Sequence, residues 1–151
     1  MKDCIFCKIL AGEIPSAKIM EDDSSYAFMD IGPLAEGHVL LIPRKHYVTV
    51  DEIPAEAAGR MLSNLPGLVR AVQEATGCEG VNVLQNNGRV AHQVVQHVHF
   101  HIIPRNRGDA FEFNWPAGEY QEGRMQELAT VIRGKLAGPR KGSGNEIKAK
   151  N

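Results

Sequence analysis

Gln96-His97-Val98-His99-Phe100-His101-Ile102-Ile103-Pro104 places three histidines at alternate positions in one apolar run. Val98, Phe100 and Ile102 fill the gaps, which gives the two-residue period of a half-buried β-strand. Along a strand, side chains two residues apart share a face, roughly 6.6–7 Å from one another. The apolar set is expected to meet a core and the imidazoles to line one surface. A lone histidine in a strand is ordinarily a surface residue or a hydrogen-bonded core residue. Three in register are harder to explain by packing, because each adds a desolvation and hydrogen-bonding demand to its neighbours. Imidazole can attack phosphorus, pass protons near neutral pH or bind a metal. The row therefore points to chemistry, with a pure metal site as the competing use of the same rings.

Outward from that run, four more strands are expected. Lys18 to Glu21 and Ser25 to Asp30 flank a polar connection and read as a hairpin; Gly37 to Ile42 and Val81 to Gln85 are further apolar segments. Cys4 to Leu10 is a short apolar stretch of about one helical turn. Ala57, Met61, Leu65, Leu68, Val69 and Val72 recur at three- and four-residue steps, the stripe of a buried helix that begins near Pro54. Pro66 should kink or split that helix, because it lacks a backbone donor and crowds the preceding turn. Gly77 is a plausible stop. A last helix is expected within Gly118 to Leu136, with Met125, Leu128, Val131 and Ile132 on its apolar face.

The chain has 151 residues, 43% of them hydrophobic and 23% charged, enough for one domain with a core. Residues 1–137 read as that domain. Residues 138–151 turn to Gly, Lys, Ser and Asn and read as a disordered, solvated tail. The formal net charge of −1 argues against electrostatic capture of duplex nucleic acid or an anionic membrane. No apolar run reaches transmembrane length and the start lacks a signal-peptide core, so a cytoplasmic protein is expected, with the nucleus open by passive entry. An odd set of three cysteines, Cys4, Cys7 and Cys78, argues against a disulfide framework and leaves Cys4-x-x-Cys7 free for metal.

The histidine run resembles the motif of the histidine triad (HIT) superfamily. Cys4-Ile5-Phe6-Cys7-Lys8-Ile9, Gly12-Glu13-Ile14-Pro15, Ala27-Phe28-Met29-Asp30-Ile31 and Gly37-His38 through His46 resemble successive blocks of its nucleotide-binding branch. Gln93, four residues before His97, and Pro104-Arg105 also fit, so the similarity spans roughly Cys4 to Arg105. The resemblance implies an α+β fold with a five-stranded antiparallel sheet, paired in a homodimer into a ten-stranded sheet. It implies a hydrolase acting on the α-phosphate of purine nucleoside phosphoramidates. His99 is then the nucleophile, His101 a phosphate ligand, and His97 and His38 supporting residues. Gln93, Asn86 and the backbone around Val94 would bind phosphate or position the leaving group. For His99 to present one ring nitrogen to phosphorus, the other should donate to a backbone carbonyl, expected near His97.

The same resemblance makes Asp30 a ribose ligand, since a carboxylate can accept from both hydroxyls; the bland alternative is a strand-end turn residue. Ile5, Phe6, Ile9, Phe28 and Ile31 become an apolar purine slot, although each alone reads as core. Cys4 and Cys7 with His46 and His97 would make a closed Cys₂His₂ set suited to structural zinc; the bland alternative is a pair of free thiols. Trp115 could cover the leaving-group side or anchor the last helix. Two positions depart from the family pattern. His92 stands where Gly is common, and Val94 replaces a small or polar residue, which puts substrate choice in question. A dinucleoside polyphosphate hydrolase is the nearest rival function, and a nucleotide-binding or zinc-stabilised scaffold with little turnover is the rival of another class.

Overall fold

The computed structural model describes residues 3–111 and 116–137, which fall in two units that divide between Glu112 and Phe113. Trp115 and the tail from residue 138 lie outside the described residues. The first unit is built around a five-stranded antiparallel sheet of order β1-β2-β3-β5-β4. Its strands are β1 (Lys18–Glu21), β2 (Ser25–Met29), β3 (Val39–Pro43), β4 (Gly80–Gln85) and β5 (Phe100–Arg105). Helix α1 (Ile5–Leu10) precedes the sheet, and α2 (Ala55–Leu62) and α3 (Leu65–Thr76) lie between β3 and β4. The second unit contains α4 (Arg124–Ala137), which begins later than the Gly118 limit of the sequence expectation.

Strand alternation explains how the sheet has two cores. Ala27, Val39, Leu41, Val98 and Ile102 join Met61, Leu68 and Val72 in one apolar cluster. Tyr26, Phe28, Leu40 and Ile42 point the other way and pack with Phe6 of α1. β3 is therefore buried on both faces, which accounts for its unbroken Val39-Leu40-Leu41-Ile42 run. The helical stripe read from the sequence is the stripe that packs: Met61, Leu68 and Val72 are buried, and Ala57, Leu65 and Val69 pack beside them.

Pro66 splits this helical stretch as its chemistry requires. α2 ends at Leu62, and α3 starts with Pro66 in its first turn, where a missing N–H costs nothing. Gly77 ends α3 in the left-handed conformation, φ 65°, and its N–H bonds the Gln73 carbonyl. Gly37, with φ 93°, admits no side chain for a second reason: a Cβ there would run into Thr76 and Pro104. That close approach seats the end of α3 beside the entry to β3, one residue before His38.

The histidine strand is shorter than the alternation suggested. β5 begins at Phe100, so His97 lies in a bend and His99 in irregular chain ahead of it, and of the three histidines only His101 is a strand residue. The ladder runs out there: Leu41 and Gln85 both pair with Phe100. Upstream, the backbone turns to loops instead. His97 N–H donates to the Val95 carbonyl at 2.9 Å, and Val98 N–H to the Tyr47 carbonyl at 2.8 Å. His38 likewise sits just before β3 rather than within it.

Ile102 is fully buried between β3 and β4 in the α2–α3 core. Replacing it with alanine should cost about 2–5 kcal/mol through lost transfer energy and a residual cavity. Urea unfolding should show a lower midpoint with an unchanged slope.

Candidate active site

Helix α1, the end of β2, the loop before the triad and the triad itself enclose a cavity of about 570 Å³. Nine residues expected to bind the nucleotide line it: Ile5, Phe6, Ile9, Phe28, Asp30, Ile31, Val94, His99 and His101. Its wall is apolar toward α1 and β2, and its polar groups converge at the histidines, the usual character of a small-molecule site. Ile14, Pro15, Ser16, Ala17, Met29, Gly32, Leu40, His92 and Val95 complete the lining. Sequence reasoning did not place most of these. Leu40 had a signal, since the strand period puts it on the Phe28 face, and it pairs with His101 in the ladder.

Each histidine has a fixed role in a hydrogen-bond network. His99 is 4% exposed, and its Nδ1 donates to the His97 carbonyl at 2.7 Å. A carbonyl only accepts, so the proton of neutral His99 lies on Nδ1 and Nε2 keeps its lone pair. This is the arrangement expected from the sequence. His97 is wholly buried, and its Nε2 donates to the Pro43 carbonyl at 3.0 Å, leaving Nδ1 as the acceptor. Leu34 N–H donates to His38 Nδ1 at 3.2 Å, so His38 carries its proton on Nε2. That Nε2 meets His101 Nδ1 at 3.0 Å and donates to it. His101 is thereby set with its own proton on Nε2. The phenyl ring of Phe6 meets the His99 ring edge-on at 5.3 Å.

Burial lowers the pKa of His97 and His101 to about 4, with repulsion from neighbouring imidazoles adding to it. Burial also lowers the His38 pKa; Asp30 opposes the effect and His99 reinforces it. Asp30 serves twice. Its Oδ1 accepts from Gly32 N–H at 2.9 Å, the turn role, while Oδ2 lies 3.6 Å from His38 Nδ1 at the cavity wall. Asp30, His38 and His101 are close enough to share a cation, but both nitrogens of His38 are already engaged.

Gln93 and Asn86 are placed differently from the expectation. Neither lines the cavity. Gln93 is 1% exposed and both ends of its amide are used: Oε1 accepts from Gly88 N–H at 2.7 Å, and Nε2 donates to the Val48 carbonyl at 2.5 Å. It staples the loop ahead of the triad to the body. The Asn86 carbonyl accepts from Gln85 Nε2 at 3.0 Å. Val94 does reach the cavity and is 87% exposed.

Beside the triad, Cys4, Cys7, His46 and His97 bring one ligand atom each within 4.8 Å of the others. Cys4 Sγ lies 3.5 Å from His97 Nδ1, and Cys7 Sγ lies 3.4 Å from His46 Nδ1 and 3.7 Å from His97 Nδ1. A tetrahedral zinc with the usual bond lengths holds its sulfur and nitrogen ligands about 3.5 Å apart. The residues therefore fit a closed Cys₂His₂ centre. The Pro43 contact points the His97 lone pair toward the thiols, the second interaction such ligands need. Burial and the neighbouring Cys4 raise the Cys7 pKa, so a cation there would have to displace the thiol proton. Cys78 is half-buried and free.

Residues 11–108 match the model of the HIT domain family. The chain is 43% identical over 146 residues to the adenosine 5'-monophosphoramidase HNT1 of Candida albicans, covering 88% of this chain and 96% of that protein. The crystal structure of a HIT family member from Bacillus subtilis superposes with a TM-score of 0.86 at 41% identity, covering 91% of this chain and 99% of that one. A zinc-bound histidine triad family protein from Mycobacterium smegmatis superposes with a TM-score of 0.69 at 32% identity, covering 89% and 98%.

The histidine pKa values carry a stability signature. Unfolded histidines take up protons near pH 6.5, whereas folded His97 and His101 do so near 4. The unfolded chain thus binds more protons in that window, and stability must fall as pH drops from about 6.5 to about 4. Each ring contributes at most ~3 kcal/mol to that loss. Denaturant titrations of metal-free protein at pH 7.5, 6 and 5 should show a plateau and then a decline; a stability independent of pH would contradict the buried neutral rings.

Proposed function

The chain belongs to the HIT domain family, and on that premise we propose that it is a hydrolase of the adenosine 5'-monophosphoramidase type, acting on purine nucleoside phosphoramidates. The observation that carries the mechanism is the His99 Nδ1–H bond to the His97 carbonyl, which frees Nε2 at the wall of a nucleotide-sized cavity. The purine lies in the apolar part, against Ile5, Phe6, Ile9, Phe28 and Ile31. The ribose hydroxyls donate to Asp30.

In the first step, His99 Nε2 attacks the α-phosphorus. The Nε2–P bond forms, the P–N bond to the amine breaks, and the amine takes up a proton from solvent as it leaves. In the second step a water oxygen bonds to phosphorus and gives up a proton to solvent, the P–Nε2 bond breaks, and the nucleoside monophosphate departs while His99 returns to neutral. His101, with its proton on Nε2, donates to phosphate oxygens as charge develops. Leu34, His38 and His101 form the chain of donors that fixes that proton. Gln93 acts by holding the loop ahead of the triad, and Asn86 by its place at the start of that loop.

The Cys₂His₂ set holds a structural zinc in this reading. The ion would tie α1, which carries the purine slot, to His97, whose carbonyl orients the nucleophile. Among the described residues, β1 and β4 are the two sheet edges, and edge pairing with a second copy would extend the sheet to ten strands. No described helix is long and apolar enough to cross a membrane. A cytoplasmic place, with access to the nucleus, suits such a protein.

Replacing His99 with alanine should lower kcat/KM for an adenosine phosphoramidate on the order of 10⁴-fold, because the covalent route is lost. Turnover that survives the substitution would refute the assigned nucleophile. A diadenosine polyphosphate assayed in parallel should turn over more slowly in the wild type. Metal analysis of protein purified with zinc should find about one ion per chain, and Cys7→Ser should lower both the metal content and the melting temperature. Light scattering should report twice the chain mass of 16.6 kDa; a fully active monomer would refute the pairing.

A further inference from the structure

Cys4 and Cys7 stand three residues apart across the start of α1. Residues at that spacing share a helix face. Their Sγ atoms lie within 4.8 Å of each other, and both thiols are free and half-buried. Cys7 lies inside the helix, whereas Cys4 precedes it with an extended backbone, φ −80° and ψ 117°. A disulfide needs its sulfurs at about 2 Å. Side-chain rotation and the non-helical backbone of Cys4 close that gap without unwinding α1.

The two thiols differ in access. Cys4 lines a second cavity of about 440 Å³, bordered by Asp3, His46, Val48, Val94 and Gln96. Cys7 lines neither this cavity nor the one that holds His99. A small molecule in the second cavity therefore meets Cys4 first. The His97 ring depends on the hydrogens of this pair. Its Nε2 donates to the Pro43 carbonyl, so its Nδ1 offers only a lone pair. Among the described residues, the hydrogen-bond partners of that lone pair are the Cys4 and Cys7 thiols, at 3.5 Å and 3.7 Å. A disulfide carries no hydrogen. Joining the sulfurs leaves the buried Nδ1 of His97 without a donor, an unfavourable state for a buried polar atom. The carbonyl of the same residue holds His99 Nδ1.

We propose that Cys4 and Cys7 form a redox modification site, in which a hydroperoxide converts the metal-free pair to a disulfide and so removes the thiol hydrogens that hold the His97 ring. In the first step Cys4 Sγ bonds to a peroxide oxygen, the O–O bond breaks, and the other oxygen leaves with the thiol proton, as water when the oxidant is hydrogen peroxide. Cys4 is then a sulfenic acid, oxidised by two electrons. In the second step Cys7 Sγ bonds to Cys4 Sγ, the S–O bond breaks, and the hydroxide leaves with the Cys7 proton as water. A dithiol reductant reverses the change. A transient disulfide of this kind is the sort that a reducing compartment permits. The joined sulfurs are no longer available as thiolate ligands, so the disulfide and the closed Cys₂His₂ centre are alternative states of one cluster. The modification stands apart from the phosphoramidase reading, and only its effect on turnover rests on it.

Reduced, metal-free protein is treated with a small excess of hydrogen peroxide and then denatured. Its free thiols should fall from three to one, with the intact mass lower by about 2 Da. The tryptic peptide of residues 3–8 contains both cysteines and should carry the whole loss. Dithiothreitol should restore all three thiols. Cys4→Ser and Cys7→Ser should show no such loss, and Cys78→Ser should retain it. The nitrogen-15 resonance of His97 Nδ1 should move on oxidation and return on reduction. Oxidation should also lower kcat/KM for an adenosine phosphoramidate about fivefold, as the loss of one hydrogen bond would give. Three thiols that survive peroxide, a disulfide that includes Cys78, or one that links two chains would overturn the site. A Cys4–Cys7 disulfide that leaves the His97 resonance in place would overturn the coupling. A reduced wild type that turns over no phosphoramidate would remove the phosphoramidase reading alone, and the thiol count and the His97 resonance would still decide this one.

Discussion

One 2.7 Å hydrogen bond, from His99 Nδ1 to the carbonyl of His97, sets which nitrogen of the central histidine is free. Much of the surrounding structure serves to hold that carbonyl still. The His97 ring is anchored at Nε2 by Pro43, at the end of β3. Its backbone N–H is tied to Val95, and the next N–H to Tyr47. Phe6 meets its ring edge-on at 5.9 Å and His46 at 4.9 Å. His97 therefore works through two separate parts. Its carbonyl orients the neighbouring His99 ring, and its side chain joins the cysteines that come with α1. A disturbance of the thiol cluster reaches His99 through a single residue.

The burial of five polar side chains, Ser25, His38, Gln93, His97 and His99, would be expensive without partners. Among the described residues no buried side-chain nitrogen or oxygen lacks one. The network is satisfied by neutral rings, each using one nitrogen as donor and leaving the other as acceptor. Protonating His38 would set its Nδ1–H against the Leu34 N–H, and protonating His101 would set its Nδ1–H against the His38 Nε2–H. Burial and the neighbouring imidazoles, which lower the pKa of His97 and His101, also favour the neutral rings.

The two-residue alternation around His99 was sufficient to find the sheet face that bears the chemistry. Pro66 and Gly77 marked the helical breaks through local backbone chemistry alone. The strand boundary was not legible, because Phe100 is where partners on both sides are available, and that depends on β3 and β4 rather than on the run itself. The role of Gln93 was hidden for a related reason. The family resemblance implies a ligand role, but its amide is consumed by Gly88 and Val48, the latter 45 residues away in the chain. The exposed imidazole of His92 could be named from the sequence, whereas its left-handed backbone could not.

The strand order β1-β2-β3-β5-β4 has a consequence for how the protein is made. Several contacts of the site are distant along the chain: 93 residues separate Cys4 from His97, 63 separate His38 from His101, and 39 separate Cys7 from His46. β5 must insert between β3 and β4 before His101 meets His38. Such non-local closure is slow compared with helix formation. A nascent chain emerging from the ribosome N-terminus first can form α1, the β1–β2 hairpin and α2–α3, yet has no triad until nearly the last strand is out. During that interval Cys4, Cys7 and His46 have emerged without the His97 ring, and His38 without that of His101. Reactivity is thereby withheld until the sheet is complete.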